Sequence, residues 1–296
     1  QGWIPTTDDD VTDAPYKGNQ EGIFGYGETT TNVGTTNLVS NAGVVATDVS
    51  AVGTVRRALA ACEYGGDKGI FGFGKTDSVV GMTNLVSSSG VVGSDVSAVG
   101  TARQLLGACG YGGDKGIFGY GYLTLSMTNL VSNAGVVATD VTGVGTGRGA
   151  PGACEYGEDK GIFGFGYTGS TTAVTNLVSN AGVVATDVTG VGTARTYIAA
   201  CGYGYDKGIF GYGATTLSMT NLVSNAGVVG TDVTGVGTGR HGLSATQYGG
   251  DKGIFGFGTT GSITGVTNLV SNAGVVATDV SAVGTARAFL AACSFN

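Results

Sequence analysis

Five cysteines are the residues best equipped for chemistry in this chain: Cys62, Cys109, Cys154, Cys201 and Cys293. Thiolates are nucleophiles and soft metal ligands. These five occupy equivalent places in a repeat whose sixth copy carries Thr246 instead. A ring of metal ligands is conceivable but would be broken at that place, and neighbouring copies should lie beyond the ~7 Å reach of a disulfide. The expectation is packed free thiols, no metal and no cofactor, in a chain that folds in a reducing compartment. His241 is the only histidine, which removes multi-histidine metal sites and nearly removes copper chemistry.

Charged pairs come next. Asp48, Asp95, Asp140, Asp187, Asp232 and Asp279 are each followed eight residues later by Arg56, Arg103, Arg148, Arg195, Arg240 and Arg287. Twelve such charges would make a rim for a charged polymer, or would pair within or between repeats and hold loops through charge-assisted hydrogen bonds. Structural ion pairs are the expectation. Glycoside hydrolysis needs two opposed carboxylates, and the carboxylate pairing within the repeats, Glu155 and Glu158, sits beside Asp159 in what reads as a solvated turn. No catalytic residue is assigned. A ring of aromatics, Tyr64, Tyr111, Tyr156, Tyr203, Tyr248 and Phe295, is the candidate binding surface. At the mouth of a ring-shaped fold these side chains would stack on sugars, or else pack against turns.

The elements that place these residues are set by repetition. Gly-Ile-Phe-Gly-(Tyr/Phe)-Gly has its Ile at 23, 70, 117, 162, 209 and 254, and Thr-Asn-Leu-Val-Ser follows each time. Repeats begin near 22, 69, 116, 161, 208 and 253 and fill nearly the whole chain. The 58 glycines among 296 residues are not spaced in threes and come with only 3 prolines, which excludes a collagen-like chain. With 42% apolar residues a sizeable core is available. Short β-branched and aromatic runs cut by glycine predict strands rather than helices. Four are expected per unit, illustrated by Tyr197–Cys201, Gly208–Tyr212, Met219–Ser224 and Val228–Val233. Six units of this size predict an all-β, six-bladed β-propeller over residues 18–296, with four antiparallel strands per blade. The first strand of a unit starts only after Arg56 and occurs last after Arg287, so the C-terminal strand should complete the blade opened at Gly22 and seal the ring. A linear β-solenoid is the alternative. Residues 1–17, with Asp8, Asp9, Asp10 and Asp13, read as an acidic arm or linker.

Thr193-Ala194-Arg195, an apolar strand, then Asp206-Lys207-Gly208-Ile209-Phe210-Gly211-Tyr212-Gly213 and Asn221-Leu222-Val223 resemble the kelch repeat. That resemblance implies an Arg-led inner strand, a glycine-ended second strand and two outer strands in one blade. Gly-aromatic-Gly replaces the kelch double glycine, and the outer-strand tryptophan is missing, since Trp3 is the only one. All six units also resemble repeat tracts of phage-type and environmental structural proteins.

The net charge of −7 is acidic, with no surplus cluster of Lys and Arg, so nucleic acid is excluded as an expected partner. No run of ~20 apolar residues is present for membrane insertion. The expected role is a non-enzymatic structural or adhesive module of a virion appendage or extracellular surface assembly, binding other structural proteins or a surface glycan through loops at the blade edges. A soluble lectin-like module is the alternative. Because a ligand is not six-fold, departures from the repeat mark candidate contacts, among them Glu63, Tyr122, Glu155, Glu158, Tyr167, Tyr205, His241 and Gln247.

Overall fold

The structure is a computed structural model that describes residues 18–50, 52–281 and 283–296; the acidic segment 1–17 lies outside the described residues. The chain is all-β, with six three-stranded antiparallel sheets and no helix among the described residues. The second sheet is typical: an inner strand Ala60–Tyr64, a middle strand Lys68–Gly72 and an outer strand Thr83–Val86. Its hairpin turns through Gly65 and Gly66, both at positive φ (67° and 79°), a conformation that costs glycine little.

The repeated Gly-Ile-Phe-Gly motif is a consequence of stacking these sheets. Successive strand residues face opposite ways, so Ile23 packs toward the second sheet, beside Phe71, while Phe24 packs toward the sixth, beside Ile254 and Phe257. Middle strands are buried on both faces as a result. The two glycines of the motif leave room for the neighbours: a Cβ at Gly69 would meet the Cys293 sulfur, and one at Gly72 would meet the Phe118 ring. Aromatic rings then meet edge to face between consecutive sheets at 5.1–5.2 Å, from Tyr26–Phe71 round to Phe24–Phe257.

The two ends of the chain build one sheet. Ala291–Phe295 pairs antiparallel with Glu21–Gly25, which pairs in turn with Thr36–Val39. The inner strands Ala291–Phe295, Ala60–Tyr64, Gly107–Tyr111, Gly152–Tyr156, Ala199–Tyr203 and Ser244–Tyr248 neighbour one another in a closed cycle. Backbone hydrogen bonds run round the same cycle. At one end of the inner strands the amides of Ala58, Leu105, Ala150, Tyr197, Gly242 and Phe289 each donate to the preceding carbonyl of the set, Ala58 donating to Phe289, at 2.7–3.2 Å. At the other end the hairpins are linked likewise, from Gly65 to Asp114 at 2.7 Å round to Asn296 to Asp67 at 3.0 Å. The arrangement is consistent with a six-bladed propeller.

Two local expectations differ from what is found. The strand expected at Tyr197–Cys201 begins at Ala199, because Tyr197 has a left-handed φ of 55° that no strand accommodates. The expected fourth strand of each unit is reduced to two isolated bridges, in the first unit Thr36↔Val49 and Val39↔Val45, between which the register slips by one residue. The carbonyl of Ala46 is taken there by the side chain of Asn37, at 3.0 Å, in place of a ladder bond. Equivalent asparagines do the same in all six units.

Candidate functional site

The Asp and Arg sets form a latch in every sheet, though not between residues eight apart. Asp95 accepts hydrogen bonds from the backbone amide of Thr54 (3.0 Å), the Thr54 hydroxyl (2.7 Å) and the Asn84 amide (2.9 Å). The arginine acting on it is Arg56, which leads the inner strand of the same sheet. Burial works against the ionised Asp95, but the bonds from Thr54 and Asn84 and the Arg56 charge outweigh it and hold its pKa below the ordinary carboxylate value. Asp140, Asp187, Asp232 and Asp279 are held in the same way, and Asp48 is latched to Thr285 from the far end of the chain. Only Arg103–Asp140 (3.9 Å) and Arg195–Asp232 (3.7 Å) come within ion-pair distance.

Each arginine does more for the contact between sheets. Arg56 is fully buried; its Nε donates to the Phe73 carbonyl at 2.9 Å and its guanidinium lies 4.5 Å over the Tyr26 ring of the preceding sheet. The other five guanidinium groups cover rings of their preceding sheets at 4.2–4.4 Å. Desolvation pulls Arg103, Arg195 and Arg287 down to about 10, which leaves them charged at neutral pH. The aromatics beneath them, Tyr26, Phe73, Tyr120, Phe165, Tyr212 and Phe257, all have φ of 62–65°. Where that residue is tyrosine its hydroxyl donates to a loop carbonyl, Val52, Val144 or Val236, at 3.0–3.3 Å. The six arginines are therefore internal fasteners, while the six aspartates latch loops at the exposed surface.

The aromatic ring Tyr64, Tyr111, Tyr156, Tyr203, Tyr248 and Phe295 is buried, each residue 1–5% exposed. Tyr64 packs against Gly135 and Tyr248 against Gly43, glycines of neighbouring loops. No ring face of this set is presented for stacking on a sugar, because each closes the gap between an inner strand and the turn beside it. The cysteines likewise point between sheets rather than into the channel: the sulfurs of Cys62, Cys109, Cys154, Cys201 and Cys293 pack against the motif glycines Gly116, Gly161, Gly208, Gly253 and Gly69. All five are free. Burial raises the thiols of Cys62 and Cys154 far above their usual value and that of Cys201 to about 12. Among the described residues no group of three His, Cys, Asp or Glu side chains is placed to hold a metal ion.

Departures from the repeat gather at the two ends of the channel. Glu63, Glu155, Gln247 and Ser294 line one mouth, where Asn19 donates to Gln247 at 2.9 Å and accepts from Ser294 at 2.9 Å. At the other end, the third, fourth and fifth sheets extend their outer hairpins to strands such as Lys115–Gly121 and Leu125–Val131. Between the third and fourth hairpins opens a cavity of about 440 Å³. Tyr122 and Tyr167, both about half exposed, line it together with Tyr197, Leu105, Thr124 and Thr196. Burial raises the Tyr197 phenol, and the neighbouring Tyr122 and Tyr167 phenols add to that shift. Tyr197 is braced from behind by Phe289, at 5.7 Å between ring centroids, and by His241 at 6.1 Å. The loop departures Tyr122 and Tyr167 are legible in the sequence. Their juxtaposition with Tyr197 is not, because it depends on which neighbouring unit the inner strand adjoins.

No protein-family model matches the chain, and no curated protein matches it.

Proposed function

We propose that the chain is a non-enzymatic, kelch-like six-bladed propeller that serves as a structural or adhesive module of a surface assembly such as a virion appendage, with the bridged fourth segment as the outermost strand of each blade. The observation that carries this reading is a six-fold repeated apolar edge. Val44, Val91, Val136, Val183, Val228 and Val275 are each 63–65% exposed, and all stand at the same place in that outermost segment. Single exposed apolar residues are ordinary, but here one recurs at the same place in every unit. An irregular outer edge also offers backbone groups to another chain. Six equal contacts suit an ordered array better than a lone asymmetric ligand. The alternative, carbohydrate binding by the ring Tyr64 to Phe295, loses support because those rings are buried.

The test is sedimentation velocity on the full chain from micromolar to millimolar concentration, beside a variant with all six valines changed to serine. Concentration-dependent association by the natural chain, lost in the variant, is the expected result. A natural chain that stays monomeric throughout and is indistinguishable from the variant contradicts the reading.

A further inference from the structure

We infer that the cavity between the third and fourth outer hairpins is a binding site for an uncharged pyranose sugar. The inference goes beyond the assembly role, since the cavity lies at the channel mouth and not on the valine-bearing edge. Three arguments carry it. First, the site breaks the repeat: Tyr122 and Tyr167 follow the Gly-aromatic-Gly motif at the place where the fifth unit has Ala214, and a discrete ligand requires such asymmetry. Second, the volume of about 440 Å³ falls in the ~300–1,000 Å³ range of small-molecule sites. Third, the lining chemistry is selective. Every lining residue is uncharged, so nothing there would balance an ionised ligand. Tyrosine offers an apolar face and a hydroxyl tip, and Thr124, Thr168, Thr171 and Thr196 add further hydroxyls.

A pyranose has the matching construction, with one face of C–H groups and an equatorial rim of hydroxyls that both donate and accept. Thr196 sharpens the match. It is 5% exposed, stands at the cavity wall, and its hydroxyl has no hydrogen-bond partner among the described residues. A sugar hydroxyl reaching that wall would supply the partner. A proline-rich segment, the other ligand that favours tyrosine-lined surfaces, lacks N–H donors at its prolines and would leave the tyrosine and threonine acceptors unmatched. Tyr197 is held in place by Phe289 and His241, so the back of the site is formed before a ligand arrives. With no carboxylate in the lining, the site binds without hydrolysing.

Isothermal titration of the full chain with methyl and phenyl glycosides of glucose, galactose, mannose and N-acetylglucosamine tests this directly. Tyr122→Ala and Tyr167→Ala remove half-exposed rings and should leave the fold intact, and Tyr205→Ala, on a distant turn, is the control. At least one glycoside should bind, with affinity reduced about tenfold by either cavity substitution and unchanged by the control. Loss of fold in both cavity variants is checked by their thermal transitions, and Thr168→Val then gives an independent reading of the same wall. No binding by any glycoside, binding that ignores the cavity substitutions, or preferential binding of a polyproline peptide overturns the inference. None of these outcomes bears on the sedimentation test of the valine edge, so the two readings fail separately.

Discussion

If the two chain ends build one sheet, the break in the chain can be moved to another sheet at little cost. A circular permutant that joins Asn296 to Gly18 through a short glycine linker and opens the chain between Gly66 and Asp67 makes that move, with residues 1–17 left out. In the natural chain the first sheet already lacks a covalent hairpin between its inner and middle strands, and Gln20 donates to the Asn296 carbonyl at 3.1 Å across the gap. Opening the second sheet leaves all five register pairs from Tyr64↔Lys68 to Ala60↔Gly72 in place. What changes is one short closure gained and one lost, and loop entropy varies by only ~0.6 kcal/mol per doubling of length. The permutant should therefore match the parent within about 1 kcal/mol in urea denaturation. Deleting residues 290–296 instead removes the buried Leu290 and Phe295, worth ~1.5–3 kcal/mol each, together with Cys293 and every pair to Glu21–Gly25. That loss, about 5 kcal/mol or more, approaches the whole stability of an ordinary domain. A permutant that fails to fold, or loses more than about 3 kcal/mol, would refute the reasoning, because joining ends that are not adjacent strains the fold.

Further outcomes follow from the same contacts. The five cysteines should be inert to a thiol reagent at pH 8 in the native protein and all react once it is unfolded, since burial raises the thiols resolved among them. Rapid native labelling would place the sulfurs elsewhere. The latch aspartates have folded pKa values below their unfolded ones, so their contribution is complete above the unfolded value of ~3.9 and is lost as pH falls through the folded values. Burial lowers the folded His241 pKa, so thermal stability should begin to decline as pH falls through the unfolded imidazole value of ~6.5 and drop further below about 4, and replacing Asp95 with Asn should flatten part of the acid drop. Glu158 and Tyr205 have φ of 70° and 69° where other hairpins have glycine, so Glu158→Gly should be neutral or stabilising by up to ~1 kcal/mol. Clear destabilisation would show a role for that side chain.

The repeat made the strand-rich character, the six-fold count and the pairing of the last strand with the first legible, because each follows from period and offset alone. Partner choice was not legible. Asp95 and Arg56 lie 39 residues apart and meet because one leads and the other ends the same sheet, whereas the obvious eight-residue spacing joins different sheets. Which way Cys62 faces was not legible either: strand alternation turns its sulfur toward Gly116 and Ala61 and Glu63 toward the channel. Asn37 gave no sign that its side chain would replace a backbone ladder bond. The left-handed φ of Tyr197, which carries its ring to Tyr122 and Tyr167, belongs to a position filled by Ala, Leu, Gly and Phe elsewhere, so residue type alone conceals it.

Amide hydrogen exchange along the native full chain tests the central claim, that one strand from each end closes six sheets into a ring. The amides of Ala291–Phe295 should be protected as strongly as those of the internal inner strand Ala199–Tyr203, and lose protection together with it in rising urea. A C-terminal segment that exchanges freely while Ala199–Tyr203 remains protected would contradict the closed ring.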